Sequence, residues 1–327
     1  MRLQFLQKIR TPLLFAAAFI AFTCSAQAQT KTLRFGHFPN ITHAQGVIAH
    51  AMSRQGKGWF EERLGSDVKI EWYTYNAGPS AMEAIFARSL DLTYVGTGPA
   101  LNAHWKSNGA EIRVVGGGAN GGAALVVGPN SGIAKPADLR GKKVATPQFG
   151  NTQDISCRAW LKAQGFNITM TGGDVTVMPT PNPDQLQLLQ SGGVQGVWTV
   201  EPWVTQLERG AQARVLVEES DVITTWLVSS AKFLNDNREL AKKIAAANAE
   251  LAQWIQANEA EAQQLLIAEL KTETRSDFSP EVVAQAWKRI KFTPEVSQEL
   301  VKKAVEDAKV TGFAKGSTDI SKLIEKP

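Results

Sequence analysis

Between Leu33 and about Val217, short runs of β-branched and aromatic residues alternate with stretches of helical period, and small polar residues or glycine join them. Leu33 to Gly36 is the first run. It gives way to Phe38-Pro39-Asn40 and then to a helix whose Val47, Ile48, Ala51 and Met52 form one apolar stripe, with Thr42 as N-cap. Val68 to Tyr75 leads through Gly78-Pro79-Ser80 to a helix with Met82, Ile85 and Phe86 inward, where Ser80 and Glu83 have capping-box spacing. Leu92 to Val95 runs into Gly96-Thr97-Gly98-Pro99 and a helix with Leu101 and Trp105 four apart, stopped by Gly109. Ile112 to Val115 closes this set. The alternation predicts an α/β chain built on mainly parallel sheets flanked by helices.

Gly116 to Gly122 is followed at once by another β-like run, Ala123 to Val127, with no room for a helix, so the chain is expected to cross here into a second lobe. There Lys143 to Thr146 leads to Gly150-Asn151-Thr152-Gln153-Asp154 and a helix ending at Gly165. Asn182-Pro183 opens a helix that stops near Gly192, and Val194 to Thr199 leads to Glu201-Pro202-Trp203. Arg214 to Val217 and Trp226 to Ser229 read as the return crossing. After Asn235 the pattern is nearly all helical, with Ser279-Pro280 and Thr293-Pro294 as helix starts. The expected lobes are residues 29–121 with 225–327, and residues 122–224. A mature chain of about 300 residues exceeds what one core serves well.

The first residues carry an address. Arg2, Lys8 and Arg10 precede an apolar run from Leu13 to Phe22, and Ala26-Gln27-Ala28 fits a small-residue cleavage site, so residues 1–28 read as a signal peptide cut after Ala28. Ala21-Phe22-Thr23 before Cys24 makes a poor lipoprotein site, which favours a free periplasmic protein over an anchored one. Cys157 is then the one cysteine left, and no intrachain disulfide forms. The formal charge of +4 includes Arg2, Lys8 and Arg10 and no leader acid, so the mature chain is near +1 and has no electrostatic case for nucleic acid.

The candidate chemistry lies in the turns. In parallel α/β sheets the strand-to-helix turns share one edge, where ligands bind, and each helix N-terminus there offers unpaired N–H groups and about half a positive charge. Candidate donors are Asn40, Thr42 and His43 on the first turn, Ser80 on the second, Thr97 and Gly98 on the third, and Asn151, Thr152 and Gln153 in the other lobe. None of these turns holds Lys or Arg. Neutral donors suit a fully ionised, weakly basic oxyanion such as a sulfonate, whereas a phosphate ester would recruit Arg or Lys. Phe38 and Trp203 are the aromatic wall candidates, and Glu201 stands ready for a cationic group of the ligand or as a brace between lobes. No catalytic residue and no cofactor are assigned. Gly116 to Gly121 satisfies G-x-G-x-x-G, but a β-like run follows where a dinucleotide fold needs a helix, and there is no G-x-S-x-G elbow. No metal site is assigned either: His43 and His50 are seven apart, with His37 near and no acidic cluster beside them in the sequence.

Taken together, His37-Phe38-Pro39-Asn40-Ile41-Thr42-His43-Ala44, Asn76-Ala77-Gly78-Pro79-Ser80, Tyr94 to Pro99, Gly150 to Asp154 and Glu201-Pro202-Trp203 resemble the aliphatic-sulfonate, nitrate and taurine substrate-binding proteins of ABC importers. Asp138-Leu139-Arg140-Gly141-Lys142-Lys143 is similar to a segment common in two-lobed binding proteins. The resemblance implies a type II periplasmic binding protein fold, a ligand between the lobes, hinge closure, and delivery by a monomer to a permease in the inner membrane. It also implies ligand-facing roles for Ser80, Thr97 or Gly98, Asn151, Thr152, Gln153 and Glu201. An organosulfonate is the first expectation, with nitrate or a thiamine precursor as alternatives. The related pyrimidine-synthesising enzymes carry a cysteine-rich motif that a lone Cys157 does not supply.

Overall fold

The computed structural model describes residues 30–327, so the expected signal peptide, its expected cleavage site and Cys24 lie outside the described residues. β1 (Lys31–His37) passes through a 3-10 turn at Ile41–His43 into α1 (Ala44–Arg54) and α2 (Trp59–Leu64). β2 (Val68–Thr74) leads into α3 (Gly78–Phe86), β3 (Leu92–Val95) into α4 (Thr97–Lys106), and β4 (Ile112–Gly121) ends the first stretch. Next come β5 (Ala123–Val127), β6 (Lys143–Thr146), α5 (Thr152–Ala163), β7 (Thr176–Pro179), α6 (Gln185–Gln190), β8 (Gly196–Val200), α7 (Trp203–Gly210) and β9 (Arg214–Glu219). β10 (Ile223–Ser230) is followed by α8 (Ala231–Asp236), α9 (Arg238–Ala257), α10 (Glu259–Thr274), α11 (Pro280–Trp287), β11 (Ile290–Phe292) and α12 (Gln298–Thr311).

These strands form a six-stranded sheet in the order β11-β4-β10-β3-β1-β2 and a five-stranded sheet in the order β7-β6-β8-β5-β9. Both sheets are mixed. Pairing is parallel where a helix intervenes, as for β1 with β2 and β3 and for β6 with β7 and β8. It is antiparallel at the crossing strands, β10 against β3 and β4 and β5 against β8 and β9. A parallel neighbour needs a crossover helix, and the passage from β4 to β5 has none. Instead Gly121 and Gly122, each at φ +73°, turn the chain in a conformation that L side chains rarely adopt.

Strand alternation sorts the core. Leu92 and Tyr94 of β3 face a cluster with Phe35, Phe60, Leu251, Ile255, Leu266 and Leu270, so α9 and α10 roof one side of the first sheet. Val95 faces the opposite cluster with Met82, Ile85, Leu101 and Trp226. In the second sheet Val144, Leu161 and Trp198 pack on one face, and Val126, Val197 and Val204 on the other. Tyr94 and Trp226 are therefore core residues. Burying each such side chain fully contributes about 1.5–3 kcal/mol.

Three helix starts differ from the sequence expectation. Thr42 sits inside the 3-10 turn, and His43 holds the N-cap position of α1. Ser80 lies within the first turn of α3, whose N-cap is Ala77, because Pro79 fits the first helical turn and draws the start upstream. Thr293-Pro294 does not start a helix. That segment runs along β4, with Gly117 N donating to Pro294 O at 2.8 Å and Thr293 N to Gly118 O at 3.0 Å. It approaches closely because β4 is bare there: a Cβ on Gly117 would lie 2.3 Å from Glu295 O. α12 starts later, capped by Ser297.

Candidate functional site

The turn after β1 and the N-termini of α3, α4 and α5 converge on one cavity between the two sheets. Phe38, Asn40, Thr42 and His43 form one wall, Asn76, Ala77 and Gly78 the start of α3, and Gly96 and Pro99 the start of α4. From the second sheet come Pro147, Asn151, Thr152 and Gln153 at the start of α5, with Asn182 and Val200, and Thr224 of β10 completes the lining. The three helices are nine, ten and twelve residues long, and each first turn leaves N–H groups without an intrahelical acceptor. The space open to the centre of a water molecule is about 20 Å³, room for one or two waters.

Among the described residues, no side chain lining the cavity is Lys, Arg, Asp or Glu. The one titratable group is His43, and burial, helped by the neighbouring His37, pushes its imidazole well below the ordinary histidine range. It is neutral at pH 7, packs against the Phe38 ring at 4.3 Å between centroids, and its Nδ1 has no hydrogen-bond partner. The positive potential in this cavity comes from peptide dipoles.

Several lining side chains already hold the cavity together. Asn151 caps α5, with Oδ1 accepting from Asp154 N at 2.8 Å and Nδ2 donating to Gln153 Oε1 at 3.0 Å. Asp154 in turn is buried and accepts from Gly150 N at 3.0 Å, from Thr146 Oγ1 at 3.1 Å and from Arg158, so the start of α5 is braced from behind. Asn40 Oδ1 accepts from Trp203 Nε1 at 2.8 Å and Asn182 Nδ2 at 3.2 Å. Thr152 Oγ1 accepts from Gly98 N at 3.2 Å, joining α4 to α5.

Residues 26–269 match the NMT1-like family. The chain belongs to that family. Among curated relatives it is 24% identical over 221 residues to a putative aliphatic sulfonates-binding protein of Bacillus subtilis, covering 64% of this chain and 62% of that one. It is 28% identical over 218 residues to the taurine-binding periplasmic protein of Escherichia coli, covering 66% and 61%. The matched part thus spans a little over three fifths of each relative. Among solved structures, the alkanesulfonate-binding protein of Xanthomonas axonopodis pv. citri bound to MOPS superposes with a TM-score of 0.69 over 86% of this chain and 92% of that one, at 20% identity. The fold is that of the periplasmic binding proteins.

Within this NMT1-like fold, Phe38, Asn40, Thr42, His43, Asn151, Thr152 and Gln153 line the cavity, as their turn positions lead one to expect. Five other candidates lie elsewhere. Thr97 and Gly98 line a neighbouring pocket behind Thr152, with Ile155, Leu300 and Lys303. Ser80 Oγ accepts from Gln148 Nε2 at 3.3 Å outside the lining. Trp203 braces Asn40 from behind the wall. Glu201 is fully buried and engaged: Oε1 accepts from Arg289 Nη1 at 2.7 Å and Thr205 Oγ1 at 2.9 Å, and Oε2 from Thr205 N at 3.0 Å. Burial raises its pKa and Arg289 opposes that rise. It is engaged as a strut and lies outside the cavity lining.

Asn76, Asn182 and Thr224 are polar lining residues that the sequence reading did not assign. Asn76 and Asn182 stand at helix starts, which is the signal that marks the others. Thr224 lies inside a crossing strand and carries no local mark. His43 lines the cavity, whereas His50, about two turns further along α1, meets His37 at 3.0 Å.

Proposed function

We propose that this NMT1-like protein is the periplasmic solute-binding component of an ABC importer, which captures a small oxyanion between its lobes and passes it to a membrane permease. The carrying observation is the convergence of three helix N-termini on a cavity without a charged side chain. Such a site can hold an anion through N–H groups and dipoles, and the names of the relatives support sulfonates as the first candidates. The lobes are residues 29–121 with 225–327, and residues 122–224, with hinges at the two crossings. Closure excludes water and no covalent step is needed.

The lining also bears on which sulfonate. Taurine carries an ammonium group, and no carboxylate lines the cavity to receive it, since Glu201 is paired with Arg289. An unsubstituted short-chain alkanesulfonate is the preferred ligand. Nitrate is the second reading, favoured by the small free space. A thermal-shift series with ethanesulfonate, taurine, an arylsulfonate, a sulfate ester and nitrate tests this. Stabilisation follows RT ln(1 + [L]/Kd), so a ligand at 100 Kd adds about 2.7 kcal/mol. Ethanesulfonate is expected to raise Tm most. A taurine shift larger than that of ethanesulfonate overturns the ligand assignment, and no shift with any of the five overturns the oxyanion reading.

A further inference from the structure

Beside α1 and outside the cavity lining, three potential ligand atoms come together. His37 Nε2 and His50 Nδ1 are 3.0 Å apart, His50 Nδ1 and Glu273 Oε1 3.0 Å, and His37 Nε2 and Glu273 Oε1 3.2 Å. His37 comes from the end of β1, His50 from α1 and Glu273 from the end of α10, 223 residues after His50. The group is buried: the side chains of His37 and Glu273 are 0% and 2% exposed. A second acid, Glu269, reaches His50 Nδ1 at 3.3 Å while also accepting from Arg54 Nε at 2.8 Å.

Counting hydrogens shows what this triangle lacks. Three mutual contacts need three hydrogens, yet each imidazole nitrogen carries at most one and an ionised carboxylate none. Thr74 Oγ1 also donates to Glu273 Oε1 at 2.8 Å, which uses that oxygen as an acceptor. If both nitrogens are protonated, two N–H groups face each other at 3.0 Å. If one hydrogen lies between the rings, a nitrogen lone pair faces the carboxylate. Every arrangement leaves one contact repulsive, and Glu273 Oε2 remains buried without a hydrogen-bond partner.

A divalent cation resolves all three contacts at once. Ligands about 2.0–2.1 Å from a tetrahedral zinc lie about 3.3 Å from one another, close to the spacings here. Two imidazole nitrogens and a carboxylate suit first-row divalent ions over magnesium or calcium. We propose that His37, His50 and Glu273 form a zinc-class metal site. The ion staples α10 onto β1 and α1. Because the turn Phe38 to His43 runs between the two histidine ligands, the staple also fixes one wall of the cavity.

The test uses the protein purified without a histidine tag and dialysed against chelator. Calorimetric titration with zinc chloride is expected to show one saturable site per chain and a rise in Tm that equimolar magnesium does not reproduce. His50→Gln and Glu273→Gln, each checked for native circular dichroism, are expected to lose at least about tenfold in zinc affinity. No saturable uptake by the wild-type protein overturns the proposal. So does wild-type affinity in both variants. Neither outcome bears on anion binding, which the thermal-shift series reads separately.

Discussion

At the residue scale, His43 links the cavity to folding. Its imidazole is kept neutral by burial first and by His37 second, so its folded pKa lies well below 6.5. The unfolded chain takes up a proton below about pH 6.5 that the native state refuses, so this contribution is complete above that pH and is lost as pH falls. One such proton changes stability by about 1.4 kcal/mol per pH unit. Urea unfolding at pH 7.5, 6 and 5 should show the wild type losing more stability between pH 6 and 5 than His43→Asn does, by about that amount. Equal losses contradict a neutral buried His43. Glu201 shows the opposite habit: it is buried as one partner of Arg289, which also reaches Glu208 at 2.8 Å, so an acid beside a ligand cleft here serves the framework.

At the element scale, the start of α5 does two jobs. Asn151, Thr152 and Gln153 line the cavity while the Asn151 side chain closes the cap. Asn151→Ala is therefore expected to cost about 1 kcal/mol of stability through the cap. Affinity for the anion should fall as well, because fraying this turn disperses its N–H groups. Denaturant titration and calorimetry on the same variant separate the two effects, and unchanged stability contradicts the cap. Ser279 was legible as a helix start because nothing outside its own turn competes for it, whereas Asn151 was read as a ligand donor and also caps α5. Thr293 was not, since what decides its segment is a strip of bare glycine backbone in β4 far back in the chain. The same limit hid the engagement of Glu201 by Arg289, 88 residues on, and of His50 by Glu273. The cavity turns were readable because every strand-to-helix turn of a parallel sheet shares one edge, a property of topology that local pattern reveals.

For the whole molecule, the two sheets meet over the cavity through small residues. A Cβ on Gly96 would lie 2.1 Å from Thr152 Oγ1, and one on Gly98 3.1 Å from Thr152 Cα, so α4 and α5 approach only because both positions are bare. That approach brings dipoles from two separately built halves to one place, where the space open to the centre of a water molecule is about 20 Å³. On the proposed function, binding is coupled to opening and closure, with the negative charge of the ligand supplying the energy of closure. Calorimetric titration with methanesulfonate and with dimethyl sulfone, its uncharged near-isostere, addresses that charge directly. The account predicts saturable one-to-one binding of methanesulfonate and no measurable binding of the sulfone at the same concentrations. Binding of the sulfone within about tenfold of the sulfonate, a difference of less than about 1.4 kcal/mol, would contradict it.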